Sequence, residues 1–317
     1  IKNQAVYAAS GVVVMFLVSK INYQTFRWLS VFALILAILL LIEACRRVVG
    51  IPIIVVVVVF MCYALLGSGM EFKDLVYTLF YTGQGILGTP IQVCSTYIFL
   101  FVLFGAFLEA TGIAAFFIDL ANAIAGSATG GPAKVAVIAS ALMGMINGSA
   151  IANVATTGTI TIPLMKKTGY KKDFAAAVEA VASTGGQFTP PIMGAVGFVM
   201  AEFMCVSYTK VMLAAAIPAF LYYLSLLYSV HLEAKRLGLS GLSKENIPQA
   251  GKVLRERGHL LIPLVVLLAL MFIGYTPLFA AIIAIFVTIP VSWIRKETRM
   301  DLETIVRATV EGSRSAI

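Results

Sequence analysis

The chain has 317 residues, 60% of them hydrophobic and 12% charged, with a formal net charge of +8. Soluble domains carry about 25% charged residues, so this composition is that of an integral membrane protein, and continuous apolar runs such as Ile53 to Met61 exclude the alternating strands of a β-barrel. No groove-reading motif accompanies the positive charge, which excludes nucleic acid as a partner and fits lysines and arginines gathered in cytoplasmic loops.

Residues 5–19 form a first apolar run. Trp28 to Cys45 is a clear span and ends at the cytoplasmic anchor Arg46-Arg47. Ile51 to Leu66 crosses outward. Glu71 to Gln84 is amphipathic, with Leu75, Tyr77, Leu79 and Tyr81 at helical spacing, and belongs on the outer surface. Ile91 to Glu109 crosses back. Ala115 to Ala125 is too short to span, carries Asp119 and Asn122, and is expected along the inner interface. The chain then makes a hairpin that ends at Lys166, Lys167, Lys171 and Lys172, and a second, interrupted segment over 172–203 goes out. Val211 to Val230 returns. Residues 231–258 carry Lys235, Arg236, Lys244, Lys252, Arg255 and Arg257 among glutamates and read as a solvated cytoplasmic helix or linker. Leu260 to Tyr275 and Leu278 to Ile294 are two more spans, joined at Thr276-Pro277, before Arg295, Lys296 and Arg299. The four cysteines have no metal spacing and read as small apolar groups. His231 and His259 have no Cys or His partner nearby. The chain begins at Ile1 and stops inside a helix-like pattern, so a fragment of a longer protein is expected.

Two interruptions organise this plan: Asn147-Gly148-Ser149-Ala150, and Ser183 to Pro191 with the sequence STGGQFTPP. Hydrocarbon tolerates irregular backbone only where protein or a water-filled cavity covers it, and paired broken segments point to a transporter's binding site. The arms 133–146 and 151–165 have 14 and 15 residues. At about 1.5 Å per residue each is roughly 21–23 Å, short of a hydrocarbon core of about 30 Å. They are therefore expected to form a re-entrant hairpin whose tip faces the break at 183–191 across a shared ligand.

The residue types suit ions. Backbone carbonyls freed by a break, with the hydroxyls and amides of Asn147, Ser149, Asn153, Ser183, Thr184, Gln187 and Thr189, are hard oxygen donors for a cation such as sodium. Helix N-termini expected at Ala150 and Pro191 suit an anionic group. Gly148, Gly185 and Gly186 permit close approach, and Pro191 can begin a helix at low cost. Thr156 and Thr157 lie on the return arm. Each of these small or hydroxylated residues also has a plainer use in helix packing. Glu179 has either a proton or cation role or a place at a wet rim, being about two turns from Lys172. Glu109 and Glu202 read as interfacial, and Lys134 as a snorkelling anchor. No Ser–His–Asp set, HExxH or Walker pattern is present, so an enzyme is not expected. Lys73-Asp74-Leu75 after one span and Met300-Asp301-Leu302 after another, each opening an amphipathic stretch, hint at an inverted repeat.

GGPAKVAVIASALMGMINGSAIAN, KKTGYKKDFAAAVEA and ASTGGQFTPPIMGA resemble the large membrane subunit of the tripartite ATP-independent periplasmic (TRAP) transporters over about residues 51–317. EACRRVVG, at 43–50, looks like the end of a fused small subunit of the TAXI branch, and STGGQ with Glu179 is TAXI-like too. Asn147 and Asn153 stand where the family more commonly has serine and aspartate. The resemblance implies an all-α, polytopic protein of the bacterial or archaeal cytoplasmic (inner) membrane, an inverted-repeat elevator transporter with its first repeat present. Its parts would be a small-subunit-like scaffold region (1–50), scaffold and interfacial helices (51–130), the transport region (131–203), a scaffold helix and connector (204–258) and the start of a second repeat (259–317). It further implies a sodium-coupled importer of a small organic acid or amino acid, with no cofactor beyond the coupling sodium. The implied partners are a periplasmic TAXI-type substrate-binding protein, the lipid bilayer and the remainder of the large subunit. On that analogy Ser149, Asn153, Thr156, Thr157, Gln187, Thr189, Pro190 and Pro191 hold substrate, and Asn147, Gly148, Ser149, Ser183, Thr184, Gly185 and Gly186 hold sodium. Alternatives are an ion-coupled carboxylate carrier without a binding protein, and a non-transporting membrane scaffold.

Overall fold

All regular elements among the described residues (23–48, 50–83, 85–86, 88–242 and 247–316 of a computed structural model) are helical. The apolar run at 5–19 lies outside them. The chain divides at Tyr81 into two compact units.

In the first unit α1 (Tyr23–Val48) ends with Arg46 and Arg47, both paired with Glu43 one turn earlier at 2.7 and 2.8 Å. Gly50, at φ 95°, turns the chain into α2 (Ile51–Cys62), where Pro52 sits in the first turn and gives up only an N–H that would have no helical partner. A π turn, Tyr63–Gly67, extends α2, and α3 (Phe72–Tyr81) follows. No residue of α2 is buried although every one of its side chains is apolar. A helix apolar all round is either buried in protein or bathed in lipid.

The second unit starts with α4 (Thr89–Val93), which runs through a π turn (Cys94–Ile98) into α5 (Phe99–Ala110). Gly112, at φ 82°, reverses the chain into α6 (Ile113–Ala125). The expected hairpin follows: α7 (Gly131–Asn147) and α8 (Ala150–Lys167). Next come α9 (Lys172–Thr184), α10 (Ala195–Phe203), the long α11 (Tyr208–Arg236), α12 (Ala250–Arg257), α13 (Ile262–Ile273), α14 (Pro277–Ser292) and α15 (Leu302–Ala316). Among the described residues three helical stretches are long and apolar enough to cross a membrane: Ile91–Ala110, Tyr208–Arg236 and Ala250–Ile273. The hairpin arms are shorter, at 17 and 18 residues.

Helix α7 packs against α5, α6, α8, α9 and α11. Its buried positions are mostly small, Ala133, Ala136, Ala139, Ser140 and Gly144 among them, and small residues let helix backbones approach where lipid supplies no hydrophobic drive. Ala133, Ala136 and Val137 close against Met165, Ala175, Val178, Ala182, Val230 and Ala234. Further along, Met143 and Ile146 join a larger aromatic core with Phe101, Phe104 and Phe107 of α5 and Phe116 and Phe117 of α6. α15 lies on α5, and a Cβ on its Gly312 would press on Leu103 and Ala106. Asp301 caps α15 by accepting from the Thr304 N–H at 3.0 Å, and the Thr304 hydroxyl and N–H hold its carboxyl below the usual carboxylate range.

One expectation needs correction. The linker at 231–258 is not free in solvent: Leu242 N–H donates to the Gly126 carbonyl at 2.8 Å, and Gly241, lacking a Cβ, lies against the backbone of Ser127. Arg257 also reaches Asp119 at 3.2 Å. Partial burial pushes the Asp119 carboxyl above its ordinary value, and the Arg257 guanidinium opposes that. Lys134, expected as a snorkelling anchor, places its Nζ 3.0 Å from His231 Nδ1 of α11. For the ammonium to donate, the imidazole proton must sit on Nε2.

Candidate functional site

The hairpin tip forms where the sequence places it. α7 ends at Asn147, Gly148 takes a left-handed conformation (φ 58°), and Ser149 caps α8 by accepting from the Ala152 N–H at 3.3 Å. Asn147 Oδ1 accepts from the Ser149 N–H, also at 3.3 Å, which fixes the tip from within. A Cβ at Gly148 would strike the Met193 carbonyl, so the tip touches the second interruption backbone to backbone.

That second interruption lies later than its sequence suggests. Ser183 and Thr184 are still in α9, and a 3-10 turn carries the chain from Gly185 to Phe188. The irregular backbone is at 189–194. Pro190 and Pro191 are joined by a cis bond, and Pro191 does not begin the next helix as expected. The Tyr208 hydroxyl is held between the Pro191 and Ile192 carbonyls, 2.9 and 2.5 Å away, and Met193 sits at φ 54°. With those residues held outside helical geometry, α10 starts only at Ala195, behind Gly194.

Between the two interruptions lies a cavity of about 130 Å³. Asn147, Gly148 and Ser149 line it from the tip, Ile192 to Ala195 from the break, and Ile98, Phe101 and Phe198 supply an apolar wall. Ile98 comes from the π turn, an irregularity often found at functional sites. The N-termini of α8 and α10 both border the cavity. Each leaves its first N–H groups without intrahelical partners and carries the positive end of a helix dipole. Gly194 adds no side-chain cap of its own. The space is therefore polar and electropositive at one end, and apolar along its wall. A larger cavity of about 450 Å³ shares Phe198 and is lined by Tyr97, Glu202, Tyr208 and Tyr275, none of them an expected site residue.

The expected residues separate into three groups. Asn147, Gly148 and Ser149 line the small cavity. Asn153, Thr157, Ser183 and Glu179 form a second, closed polar cluster. Glu179 is 1% exposed, so the wet-rim reading fails. Its Oε1 accepts from Ser140 (3.0 Å), Ser183 (3.2 Å) and Thr157, and its Oε2 from Thr161 at 2.5 Å. Asn153 Nδ2 donates to the Ser140 carbonyl at 2.8 Å. The rest point elsewhere. Thr156 reaches Glu109 at 2.9 Å, Thr184 bonds back to the Ala180 carbonyl at 2.7 Å, and Thr189 turns towards Gly185 and Tyr223. Gln187 is exposed beside an apolar groove with Phe188 and Met200. Gly185 is packed under Tyr222 and Tyr223, and Gly186 meets Gly144 of α7 so closely that a Cβ on either would run into the other's Cα. Sequence reasoning missed Ser140, Thr161, Met193 and Tyr208. Thr161 carried a signal: Asn153, Thr157 and Thr161 recur every four residues on one helix face, opposite Glu179 and Ser183 at the same spacing.

The family model for the tripartite ATP-independent periplasmic transporter, DctM component, matches residues 36–317. The match takes in 43–50, upstream of the boundary expected from EACRRVVG. The chain is 32% identical over 185 residues to a C4-dicarboxylate TRAP transporter large permease protein of Pseudomonas aeruginosa, covering 58% of this chain and 43% of that protein. It is 28% identical over 185 residues to a sialic acid TRAP transporter large permease protein of Vibrio cholerae, with the same coverage. Against a 2,3-diketo-L-gulonate TRAP transporter large permease protein of Escherichia coli it is 27% identical over 150 residues, 47% of this chain and 35% of that one. The matches span less than half the length of these relatives. The hairpin, the interrupted helix and the match over nearly the whole sequence have one conclusion: this chain belongs to the DctM component family of the TRAP transporters.

Proposed function

We propose that this chain is part of the membrane subunit of a sodium-coupled importer, and that the cavity between hairpin tip and break receives an anionic group of the solute or its coupling ion. The observation that carries this reading is the convergence of two helix N-termini and the Asn147-Gly148-Ser149 tip on one small space. Free N–H groups and aligned dipoles favour negative charge. The oxygens of Asn147 and Ser149 keep a lone pair each after capping and suit a hard cation beside it. A space of about 130 Å³ is below the roughly 300 Å³ of a ligand-sized pocket, so it would take a carboxylate end rather than a whole solute. The relatives' names include a C4-dicarboxylate and sialic acid, both acids, and a small organic acid or amino acid is the substrate class we propose here. A periplasmic substrate-binding protein, of TAXI type given STGGQ and Glu179, would deliver it. The hairpin and α9–α10 would carry it across as an elevator.

The test is uptake of labelled dicarboxylates and glutamate into proteoliposomes holding the full-length parent protein, with its binding protein outside. Inward sodium and potassium gradients are compared for the native protein and an Asn147→Leu, Ser149→Ala double variant. Sodium-driven uptake that requires the binding protein and is lost in the variant supports the reading. Uptake indifferent to sodium and to the variant overturns it.

A further inference from the structure

The cavity of about 450 Å³ that shares Phe198 with the tip cavity is bordered by two turns. α10 ends at Phe203, and Cys205, at φ 51°, turns the chain towards α11. α13 ends at Ile273, and Gly274, at φ 110°, turns it towards α14, which Thr276 caps by accepting from the Phe279 N–H at 3.3 Å. The Thr209 hydroxyl donates to the Met271 carbonyl at 3.5 Å and ties the two turns together. The π turn before α5 adds Tyr97.

Four aromatic side chains line this space, each from a different place in the chain: Tyr97, Phe198, Tyr208 and Tyr275. The first three form a column. The Phe198 ring centre is 5.4 Å from that of Tyr97 and 4.2 Å from that of Tyr208, with planes within 7° and 6° of parallel. Tyr275 stacks on Phe279 at 5.1 Å. One charged side chain accompanies them. Glu202 lines the cavity, is exposed, and lies close enough to Tyr97 for its charge to reach that hydroxyl. No ion pair among the described residues includes Glu202. No lysine, arginine or histidine is among the described residues that line the cavity. Lys210 of α11 borders an apolar groove with Met204 and Pro218 instead. Glu109 of α5 accepts from Thr156, and α13 and α14 carry no charged residue.

Helix dipoles do not set the sign of the site. α10 and α13 bring C-termini to the cavity, and α11 and α14 bring N-termini. Partial charges of opposite sign therefore meet there, and the formal charge of Glu202 is left over. An anion would be repelled by it. An uncharged guest would cover the carboxylate and give it no partner, which is costly. A metal ion would find one carboxylate, and no group of three His, Cys, Asp or Glu that could hold a metal occurs among the described residues. An alkylammonium meets each requirement. Its charge pairs with Glu202, and its C–H groups lie against rings whose π faces attract cations. The volume is within the roughly 300–1,000 Å³ of small-molecule pockets.

We propose that this cavity binds a small organic ammonium ion, with Glu202 as its counter-ion and Tyr97, Phe198, Tyr208 and Tyr275 as its aromatic wall. The site stands on these residues and is independent of the transporter reading.

The experiment is calorimetric titration of n-butylammonium into the full-length parent protein in nanodiscs. n-Butanol, butyrate and protein-free nanodiscs are the controls. The expected result is saturable binding of n-butylammonium alone, weakened at least about tenfold in Glu202→Gln. Tyr275→Leu should weaken it about threefold or more, and Tyr275→Phe should restore it. The Tyr275 pair keeps the test decisive if Glu202→Gln fails to fold. n-Butanol bound as tightly as n-butylammonium overturns the proposal, because the cavity then selects apolar bulk alone. Tighter binding of butyrate also overturns it and gives the cavity to the N-termini of α11 and α14. Binding of n-butylammonium that is indifferent to both sites, or no saturable binding, overturns it as well.

Discussion

The tip cavity and the Glu179 cage are built from neighbouring turns of the same helices, yet they are opposites. At the tip, side chains cap backbone, and the space is bordered by the N-termini of α8 and α10 and the turn at Met193. In the cage, side chains face one another, four hydroxyls on one carboxylate, and no backbone is irregular. A broken helix offers groups whose positions are fixed and whose pairing is left for a visitor. An intact helix with a polar stripe satisfies itself. The first arrangement suits a ligand that arrives with its own charge, the second a closed polar contact that ties helices together.

Several variants would break or sharpen this contrast, measured in the full-length protein by thermal unfolding and by proteoliposome uptake. The largest effect is expected from Gly144→Val, whose branched side chain meets the Gly186 backbone and pushes hairpin from break. Overpacking of this kind costs about 1–3 kcal/mol, and uptake should vanish with it. Asn153→Leu removes the amide's hydrogen bond to the Ser140 carbonyl in the cage, worth about 0.5–1.5 kcal/mol. It should lower the unfolding midpoint while leaving the tip's affinity for solute alone. Ser149→Ala removes the α8 cap, worth about 1 kcal/mol. Here the contrast runs the other way, with a modest fall in midpoint and a larger rise in the solute concentration needed for half-maximal uptake. Thr184→Val, whose hydroxyl bonds only its own helix, should stay within about 0.5 kcal/mol of the native protein and transport normally. A strong transport defect there would return Thr184 to the ion site and undo the grouping drawn above.

The sequence made the hairpin legible because its signal is local. Asn147, Gly148 and Ser149 are consecutive, a glycine takes the left-handed turn, and the serine caps the helix that follows. The second interruption was placed too early because STGG looks like a break, whereas the helix continues through Ser183 and Thr184. What ends the regular backbone further on is partly Tyr208, a residue 17 positions beyond Pro191, and no local pattern announces it. Glu179 was half legible. Its spacing from Lys172 suggested a rim, but its cage is assembled from Ser140, Thr157 and Thr161, residues 39, 22 and 18 positions away. The four-residue rhythm of Asn153, Thr157 and Thr161 shows a polar face and does not show what it faces.

The close meeting of Gly144 with Gly186 has a consequence for how such a machine can be instrumented. Two backbones with no side chain between them touch directly, and on the transporter reading proposed above hairpin and break are expected to move as one piece. A pair of spectroscopic labels, one on α7 and one on α9, should report a constant separation through the whole working cycle. Labels on α7 and α14, helices that share a core but no such glycine seam, are where any stroke would be recorded.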